Sequence, residues 1–216
     1  MNMTTEKAFV RALAVDSYAF SSAGRASHAQ SFKAAGASAF IGYLGLMNEA
    51  RLNYILDQGL AFMPVTLGIK HGIPLTGKFG ASFGKTSVRQ ATALGVLPTT
   101  TTFLDLEDAT GSEEDVYAFV DEWSKPIVDA GLQAGLYVGA GAVLSSELLY
   151  KLPRITAYWQ SLSQERDVRG ALSEPQCGWQ VIQLYPSVKL PGGGIVDWNV
   201  VQKDYRGRLP TWMRRL

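Results

Sequence analysis

The sequence is poor in cysteine, in histidine and in uncompensated charge. Cys177 is the one cysteine among 216 residues, so no disulfide can form within the chain. The two histidines, His28 and His71, lack the spacing of a metal site. Twenty basic residues balance 19 acidic ones, whereas a nucleic-acid-binding protein normally presents a basic face. We therefore expect no metal, no cofactor and no nucleic-acid partner.

Long apolar runs are also missing. No segment approaches the ~18 consecutive apolar residues of a membrane span, so stable membrane insertion is not expected. The N-terminus, MNMTTEKAFVRALAVD, lacks a basic leader followed by an unbroken apolar core, so we expect no signal peptide. With 47% hydrophobic residues the chain can bury a substantial core, and we predict a single domain over residues 1–216.

Short apolar runs alternate along the chain with amphipathic runs, a pattern that indicates strands and helices. The predicted strands are residues 12–18, 38–43, 60–67, 101–106, 134–138, 155–159, 179–184 and 194–198. The predicted helices are residues 25–35, 48–57, 87–94, 113–129 and 142–151. In the fourth helix, which has Ser112 as its predicted N-cap, one apolar stripe contains Val116, Phe119, Val120, Trp123 and Ile127.

Alternating strands and helices favour a parallel sheet, because a parallel crossover needs a helix-length connection. About eight strands fit a closed barrel, although a full (β/α)8 barrel typically has ~250 residues. Only the hairpin-length segment YPSVKLPGG separates Leu184 from Gly194. We therefore predict an α/β fold, an irregular TIM-like β/α barrel. About five strand–helix units precede strands joined by loops, some of them antiparallel.

Two segments fall outside this pattern. Residues 68–86 are polar and Gly-rich, and we expect either a functional loop at the mouth of the barrel or a surface insertion. Residues 205–216 carry Arg206, Arg208 and a terminal pair of arginines. For them we expect a flexible, solvated tail, with contact to a membrane surface or a polyanion as the alternative.

Acidic residues end three of the predicted strands. Asp105 and Glu107 end the strand over residues 101–106, and residues two apart in a strand project to the same face. Carboxylates so close together raise the pKa of at least one of them, which suits a general acid. Asp16 ends the first strand and Asp197 the last, and these strands are neighbours in a closed barrel. All four acids are therefore predicted to share one mouth; exposed turns are the alternative.

Aromatic and amide side chains accompany these acids at or just past strand ends. Sugar rings present apolar C–H faces to aromatic rings, while carboxylates and amides bind their hydroxyl groups. Packing inside the barrel is the alternative role for each aromatic residue. The predicted substrate-binding residues are Tyr18, Tyr43, Tyr137, Trp159, Gln183, Tyr185 and Trp198.

Other hydrolytic chemistries leave weaker traces. No G-x-S-x-G motif occurs, so nothing indicates a serine nucleophile on an elbow. Gly72-x4-Gly77-Lys78 resembles a phosphate loop but is followed by Phe79 instead of the serine or threonine that binds magnesium. The GKT at residues 84–86 lacks the first glycine of that motif. A nucleotide hydrolase is therefore a remote alternative.

Six short motifs follow one another between residues 12 and 201. They are VDS at 15–17, FLDLE at 103–107, GLYVG at 135–139, AYWQ at 157–160, WQVIQLY at 179–185 and VDWN at 196–199. In order and spacing they resemble glycoside hydrolase family 25, the lysozymes typified by fungal and phage muramidases. They resemble still more closely the related glycoside-hydrolase-like domain of phage and actinobacterial proteins.

The resemblance implies a barrel that cleaves the β-1,4 bond after N-acetylmuramic acid in peptidoglycan glycan strands. It implies that Glu107 is the general acid and Asp105 its modulator, with Asp16 and Asp197 around the charged intermediate and the attacking water. The expected protein is a monomeric, endolysin-type muramidase. It is made in the cytoplasm and reaches the cell wall after phage-type release or by non-classical export. The alternative is an inactive barrel that binds cell-wall carbohydrate.

Overall fold

The structure, a computed structural model, describes residues 2–66, 75–161, 175–191 and 194–216. The strands within these ranges are β1 (Met3–Lys7), β2 (Leu13–Asp16), β3 (Ala39–Leu44), β4 (Ala61–Thr66), β5 (Thr101–Leu106), β6 (Gln133–Val138), β7 (Ile155–Gln160), β8 (Val181–Lys189), β9 (Ile195–Val201) and β10 (Thr211–Arg215). The helices are α1 (Tyr18–Ala23), α2 (Ala26–Ala34), α3 (Glu49–Asp57), α4 (Gly77–Ala93), α5 (Glu113–Asp129) and α6 (Ser146–Lys151). None of these helices combines the length and the apolar character needed to cross a membrane.

Eight strands close into a barrel in the order β4-β3-β2-β9-β8-β7-β6-β5, and a β4–β5 pairing completes the circle. Neighbouring strands run parallel except around β9, which lies antiparallel to both β2 and β8. The short connection predicted after Leu184 accounts for this reversal, since Leu184 of β8 pairs with Trp198 of β9. The predicted irregular α/β barrel with antiparallel C-terminal strands is confirmed.

Strand alternation separates the interior of the barrel from its helix-covered exterior. In β5, Phe103 packs in the interior, whereas Leu104 and Leu106 pack outward in the cluster that contains the apolar face of α5. Asp105 lies two residues after Phe103 and therefore on the interior face, near the carboxyl end of the strand. Polar side chains that alternate in this way emerge at one mouth of the barrel.

The fourth predicted helix is confirmed with its predicted bounds as α5. The Ser112 side chain accepts a hydrogen bond from the Asp115 N–H, and the acidic first turn complements the helix dipole. The predicted stripe is buried throughout, including Trp123, whose indole N–H donates to Ser87 Oγ of α4 at 3.2 Å. Pro126 lies within the helix, which continues past it.

The prediction of a loop over residues 68–86 is wrong for the part that the structure describes. Helix α4 begins at Gly77, while residues 68–74 lie outside the described residues. Gly80 and Gly84 face α5 so closely that a Cβ atom at either position would overlap backbone atoms of α5. The glycines that indicated a loop therefore allow two helices to pack at short range.

The prediction of a flexible tail over residues 205–216 is wrong where β10 forms. Strand β10 pairs with β1 and, through Met213 opposite Phe62, with the first half of β4. Trp212 and Met213 are buried, which gives the segment an apolar reason to stay in place. Several of its basic side chains pair within the protein, as Arg208–Asp204, Arg214–Glu6 and Arg215–Asp57.

The first predicted strand is shorter than expected because a helix follows it directly. Strand β2 ends at Asp16, and Ser17 caps α1 by accepting a hydrogen bond from the Phe20 N–H at 3.3 Å. The Ser17 hydroxyl also donates to the carbonyl oxygen of Ile195 at 2.8 Å. The start of α1 is thereby tied to the start of β9.

Candidate active site

Four carboxylates lie at the same mouth of the barrel. Asp16 ends β2, Asp105 lies near the end of β5 and Glu107 follows β5 directly. Asp197 lies near the start of β9, and because β9 is antiparallel, its start meets the ends of the parallel strands. Asp16 and Asp197 are direct cross-strand partners. The structure thus brings together the four acids, although Asp197 begins its strand where the sequence suggested that it ends one.

Tyr43, near the end of β3, interacts with all of these carboxylates. Burial raises the pKa of Tyr43 far above its ordinary value, and the negative charges of Asp105, Asp16, Glu107 and Asp197 raise it further. Charges that act on one phenol in this way lie within electrostatic range of one another. The Tyr43 hydroxyl therefore stays protonated, and the mouth has a strongly negative character.

Asp16 is almost inaccessible to water, with 4% of its surface exposed. Burial and the charge of Asp197 raise the pKa of Asp16 from 3.8 to about 7, against the hydrogen bonds from Asn199 and Gln183, which lower it. The Asp16 carboxyl group is therefore partly protonated at neutral pH. The cross-strand pair of Asp16 and Asp197 carries less than two full negative charges under these conditions.

Two amide side chains hold Asp16 in place. Asn199 Nδ2 donates to Asp16 Oδ2 at 2.8 Å, and Gln183 Nε2 donates to the same oxygen at 3.3 Å. The indole Nε1 of Trp159, which can only donate, donates to Asn199 Oδ1 at 2.8 Å. Trp159 therefore fixes the Asn199 amide with its NH₂ group towards Asp16.

Glu107 lies between a hydroxyl donor and a glycine. Ser161 Oγ donates to Glu107 Oε1 at 3.3 Å. Gly139, whose N–H donates to the Leu106 carbonyl at 2.9 Å, lies so close that a Cβ atom there would overlap the Glu107 side chain. Glu107 is half-buried, so its carboxyl group is both positioned by its neighbours and accessible from the mouth.

Tyr137 connects the two halves of the site. Its hydroxyl lies 2.7 Å from Ser161 Oγ and 3.2 Å from Gln183 Oε1. Its ring packs against Trp159 with 4.4 Å between ring centroids. Burial, followed by the charge of Glu107, raises the pKa of Tyr137 far above its ordinary value, so the hydroxyl keeps its hydrogen. Tyr137 and Gln183, both predicted to bind substrate, thus support the carboxylates through this network.

Of the predicted aromatic residues, Tyr18 offers an accessible surface at the mouth, next to the half-buried Tyr43. Tyr18 is 58% exposed, and its ring meets the Tyr43 ring edge to face with 5.8 Å between centroids. Trp159 differs from the expectation, because at 1% exposure it acts through Asn199 and has no surface for a ligand. The side chain of Tyr185 lies outside the described part of the structure.

Trp198 does not reach the mouth, so its predicted place there is wrong. It pairs with Val15 across β2 and β9, and both residues pack in the exterior cluster under the helices. Asp197 and Asn199 alternate with it and point the other way. Because residues on either side of Trp198 face the mouth, the strand period of two places Trp198 on the outer face.

Ser161 and Asn199 belong to the site although no role was predicted for either. Both could have been found from the period of two along a strand. Asn199 follows Asp197 by two residues in β9, and Ser161 follows Trp159 by two at the end of β7. The Ser161 N–H continues the β6–β7 pairing by donating to the Val138 carbonyl at 3.1 Å.

The structure contradicts the GKT signal behind the remote alternative of a nucleotide hydrolase. The GKT at residues 84–86 lies in the middle of α4, where Thr86 Oγ1 donates to the Ser82 carbonyl at 3.2 Å and Gly84 faces α5. A phosphate loop needs exposed backbone N–H groups ahead of a helix, which an intact helix interior does not offer. Gly72 and His71 lie outside the described residues. Within the described ranges, no group of three or more His, Cys, Asp or Glu side chains is arranged to hold a metal ion.

An irregular barrel with carboxylates clustered at its mouth is the arrangement expected of a glycoside-hydrolase-like domain. A family model described as the Rv2525c-like, glycoside hydrolase-like domain matches residues 30–201. The match covers well over half of the 216 residues, and the chain belongs to this family. The resemblance found in the sequence is therefore confirmed. A comparison with curated proteins gives no match.

Solved structures share the fold at low sequence identity. The Mycobacterium tuberculosis Tat-secreted protein Rv2525c, in complex with HEPES, superposes with a TM-score of 0.65 at 16% identity over 91% of this chain and 98% of that chain. The Clostridium perfringens spore cortex lytic enzyme SleM gives 0.65 at 13% identity over 95% and 71%. The Streptococcus pneumoniae modular autolysin LytC, in complex with a synthetic peptidoglycan ligand, gives 0.58 at 11% identity over 88% and 46%.

Proposed function

We propose that this protein hydrolyses the glycan strands of peptidoglycan as a muramidase of the endolysin type. The observation that carries the proposal is the cluster of Asp16, Asp105, Glu107 and Asp197 at one mouth of a glycoside-hydrolase-like barrel. Glycosidic bond cleavage generally uses a pair of carboxyl groups flanking the bond. The fold shared with two cell-wall lytic enzymes, one of them in complex with a peptidoglycan ligand, supports glycan strands as the substrate.

Glu107 is the general acid in this proposal. It is half-buried and accessible from the mouth, and its backbone and side chain are positioned by Gly139 and Ser161. Glu107 transfers its proton to the glycosidic oxygen as the bond breaks. The sugar then develops oxocarbenium-like positive charge, which the surrounding negative mouth stabilises.

Asp105, Asp16 and Asp197 supply that negative environment. Asp105 lies in β5 two residues before Glu107 and modulates it. The cross-strand pair of Asp16 and Asp197 lies beside the charged intermediate and the attacking water. Because burial raises the pKa of Asp16 to about 7, the pair can hold a proton near neutral pH. The proton taken from the attacking water therefore has an acceptor within the cluster.

Digestion of purified peptidoglycan tests the proposal. The wild-type protein is expected to release muropeptides with a reducing N-acetylmuramic acid end, identified by mass spectrometry. A Glu107→Gln variant keeps the shape of the side chain but not the acid, and its rate is expected to fall by a factor of roughly 10²–10⁴. Glu114→Gln, an exposed position in the first turn of α5, is the matched control. Full activity of a folded Glu107→Gln variant would contradict the assignment.

Carbohydrate binding without turnover is the second candidate function. The observation that favours it is the exposed ring of Tyr18, held edge to face against Tyr43, which can stack on a sugar whether or not the carboxylates react. It predicts that the protein pellets with sacculi, that Tyr18→Ala releases it and that no soluble muropeptides appear.

We further propose that the protein acts as a monomer on the cell wall. It arrives there after phage-type release or by non-classical export, and light scattering and cell fractionation test these two points.

A further inference from the structure

Three side chains form a line of hydrogen bonds from the proposed general acid to the far side of the site. Ser161 Oγ lies 3.3 Å from Glu107 Oε1, Tyr137 Oη lies 2.7 Å from Ser161 Oγ, and Gln183 Oε1 lies 3.2 Å from Tyr137 Oη. Ser161, Tyr137 and Gln183 are all buried, with 1%, 8% and 9% of their surface exposed. Bulk water therefore has little access to this line.

When Glu107 is ionised, the line has three contacts but only two hydroxyl hydrogens, those of Ser161 and Tyr137. Each hydroxyl group carries one hydrogen and can also accept. The Tyr137 hydrogen can point to Ser161 or to Gln183, but not to both at once. When it points to Ser161, the Ser161 hydrogen points to Glu107. When it points to Gln183, Ser161 can donate to Tyr137 and accept a hydrogen from Glu107.

These two arrangements match the two protonation states of an acid. Ionised Glu107 only accepts, and the order Tyr137 to Ser161 to Glu107 gives it a donor. Protonated Glu107 must donate, and the reversed order Glu107 to Ser161 to Tyr137 to Gln183 gives each hydrogen an acceptor. Both orders use the same atoms at the same positions, and only the hydroxyl hydrogens rotate.

We propose that Ser161 and Tyr137 are positioning residues that form a reversible hydroxyl relay, which serves Glu107 before and after it gives up its proton. The proposal rests on the proposed function, in which Glu107 is the general acid. The transferred proton goes from Glu107 to the glycosidic oxygen, and the relay neither gains nor loses one. Its role is to keep Glu107 in one position and to favour its anion as that anion forms.

The far end of the relay is fixed so that the hydrogens have defined partners. Gln183 Nε2 donates to Asp16 Oδ2 at 3.3 Å, which leaves Gln183 Oε1 facing Tyr137. The Tyr137 ring is held against Trp159, whose own N–H is used by Asn199. A relay held at both ends can reverse without moving any heavy atom.

The test measures the titration of Glu107 itself, by ¹³C NMR of its carboxyl carbon in the folded protein. Other groups at the mouth also titrate or act on it: Asp16 on β2, Tyr43 on β3, Asp105 on β5, Tyr137 on β6 and Asp197 on β9. Of these groups, Ser161→Ala directly changes only Tyr137, which loses its partner at 2.7 Å but whose pKa stays far above the range of the titration. The hydrogen bond from Ser161 to ionised Glu107 is charge-assisted and therefore stronger than the bond between Ser161 and protonated Glu107, so its loss is expected to move the Glu107 midpoint to higher pH.

Activity provides the second readout. Ser161→Ala and Tyr137→Phe are each expected to lower kcat roughly tenfold to a hundredfold, the value of a hydrogen bond to a charged group, while KM changes little. The double variant is expected to be no slower than the slower single variant, because both break the same line. Ser161→Thr keeps the hydroxyl and should restore both the midpoint and kcat.

Two matched controls exist in the same fold. Tyr158→Phe removes a buried phenol on β7 whose hydroxyl donates to the Leu149 carbonyl in the exterior cluster. Ser124→Ala removes a buried hydroxyl that donates to the Asp121 carbonyl within α5. Neither control should move the Glu107 midpoint or kcat.

The two readouts separate this proposal from the proposed function. An unchanged Glu107 midpoint in both Ser161→Ala and Tyr137→Phe overturns the relay, whether or not peptidoglycan is cleaved. If the Glu107 midpoint shifts in the variants but the wild-type protein releases no muropeptides, the proposed hydrolase is overturned and the relay is not. Additive losses of kcat in the double variant also overturn the relay, because they would show two independent contacts.

Discussion

Replacing Asp16 by asparagine should stabilise the protein at alkaline pH. Asparagine has the shape of neutral aspartic acid, and its carbonyl oxygen can take the place of Asp16 Oδ2, which accepts from both Asn199 and Gln183. Its NH₂ group can then face Asp197, the cross-strand partner. The variant therefore keeps the hydrogen bonds of the site and removes a buried charge from beside another carboxylate.

The expected size follows from the pKa of Asp16, which burial and Asp197 raise from 3.8 to about 7. Between these two values the folded state holds a proton that the unfolded state has released. The free energy of unfolding of the wild type therefore falls as the pH rises from about 4 to about 7, and levels off above that. The full difference corresponds to about 4 kcal/mol, a loss that asparagine does not suffer.

Urea unfolding of both proteins at a series of pH values between roughly 4.5 and 8.5 measures this effect. The stability of Asp16→Asn relative to the wild type should grow with pH by a few kcal/mol and stop growing above about pH 7. Asp204→Asn is the contrasting control, because Asp204 is also buried but pairs with Arg208 at 2.7 Å, so its loss should destabilise the protein. Parallel stability curves for the wild type and Asp16→Asn would refute the reasoning.

Two glycines give opposite predictions for activity and stability. Gly139→Ala should displace the Glu107 side chain, because the new methyl group overlaps it. The proposed lytic activity should therefore fall at least roughly tenfold, while the free energy of unfolding changes by only about 1 kcal/mol. Gly80→Ala should lower the free energy of unfolding by roughly 2 kcal/mol or more, because its methyl group meets backbone atoms of α5 that cannot turn away. Gly77→Ala is the control, because a methyl group there meets the flexible Glu122 side chain at 3.3 Å and atoms of Ala118 at an ordinary 3.7 Å, so this variant should gain helix propensity instead.

Local patterns predicted the elements whose signals do not depend on distant partners. Helix α5 has a long apolar stripe and a serine cap, and β5 is a run of β-branched and apolar residues, and both form as predicted. The second half of helix α4 was predicted, as residues 87–94, but the first half could not be recognised in this way, because Gly80 and Gly84 disfavour a helix locally and become favourable only when α5 packs against them. Strand β10 likewise depends on β1, which is some 200 residues away in the chain.

The acids of the candidate site could be placed from the sequence, because they lie at strand ends that share one mouth of the barrel. The first and last strands of a closed barrel are also neighbours. The aromatic residues could not, since proximity to a strand end leaves the direction of a side chain open. Trp198 faces outward by the period of two along β9, and Trp159 lies beneath the mouth, where it positions Asn199. Alternation along β9, counted from Asp197, would have placed Trp198 on the outer face, but it carries no information about Trp159 on β7.

The pairing of β1 with β10 brings the two ends of the described chain side by side. The Leu216 N–H donates to the Asn2 carbonyl at 3.0 Å, and β10 is joined to the start of β5 by a hydrogen bond from the Thr211 N–H to Thr101 Oγ1 at 2.8 Å. The start of β5 is the end of the barrel away from the carboxylates. A resin, a dye or a fused module attached through either terminus therefore leaves the mouth unobstructed. A short linker between the ends would also yield a circular chain that can be reopened elsewhere on the surface.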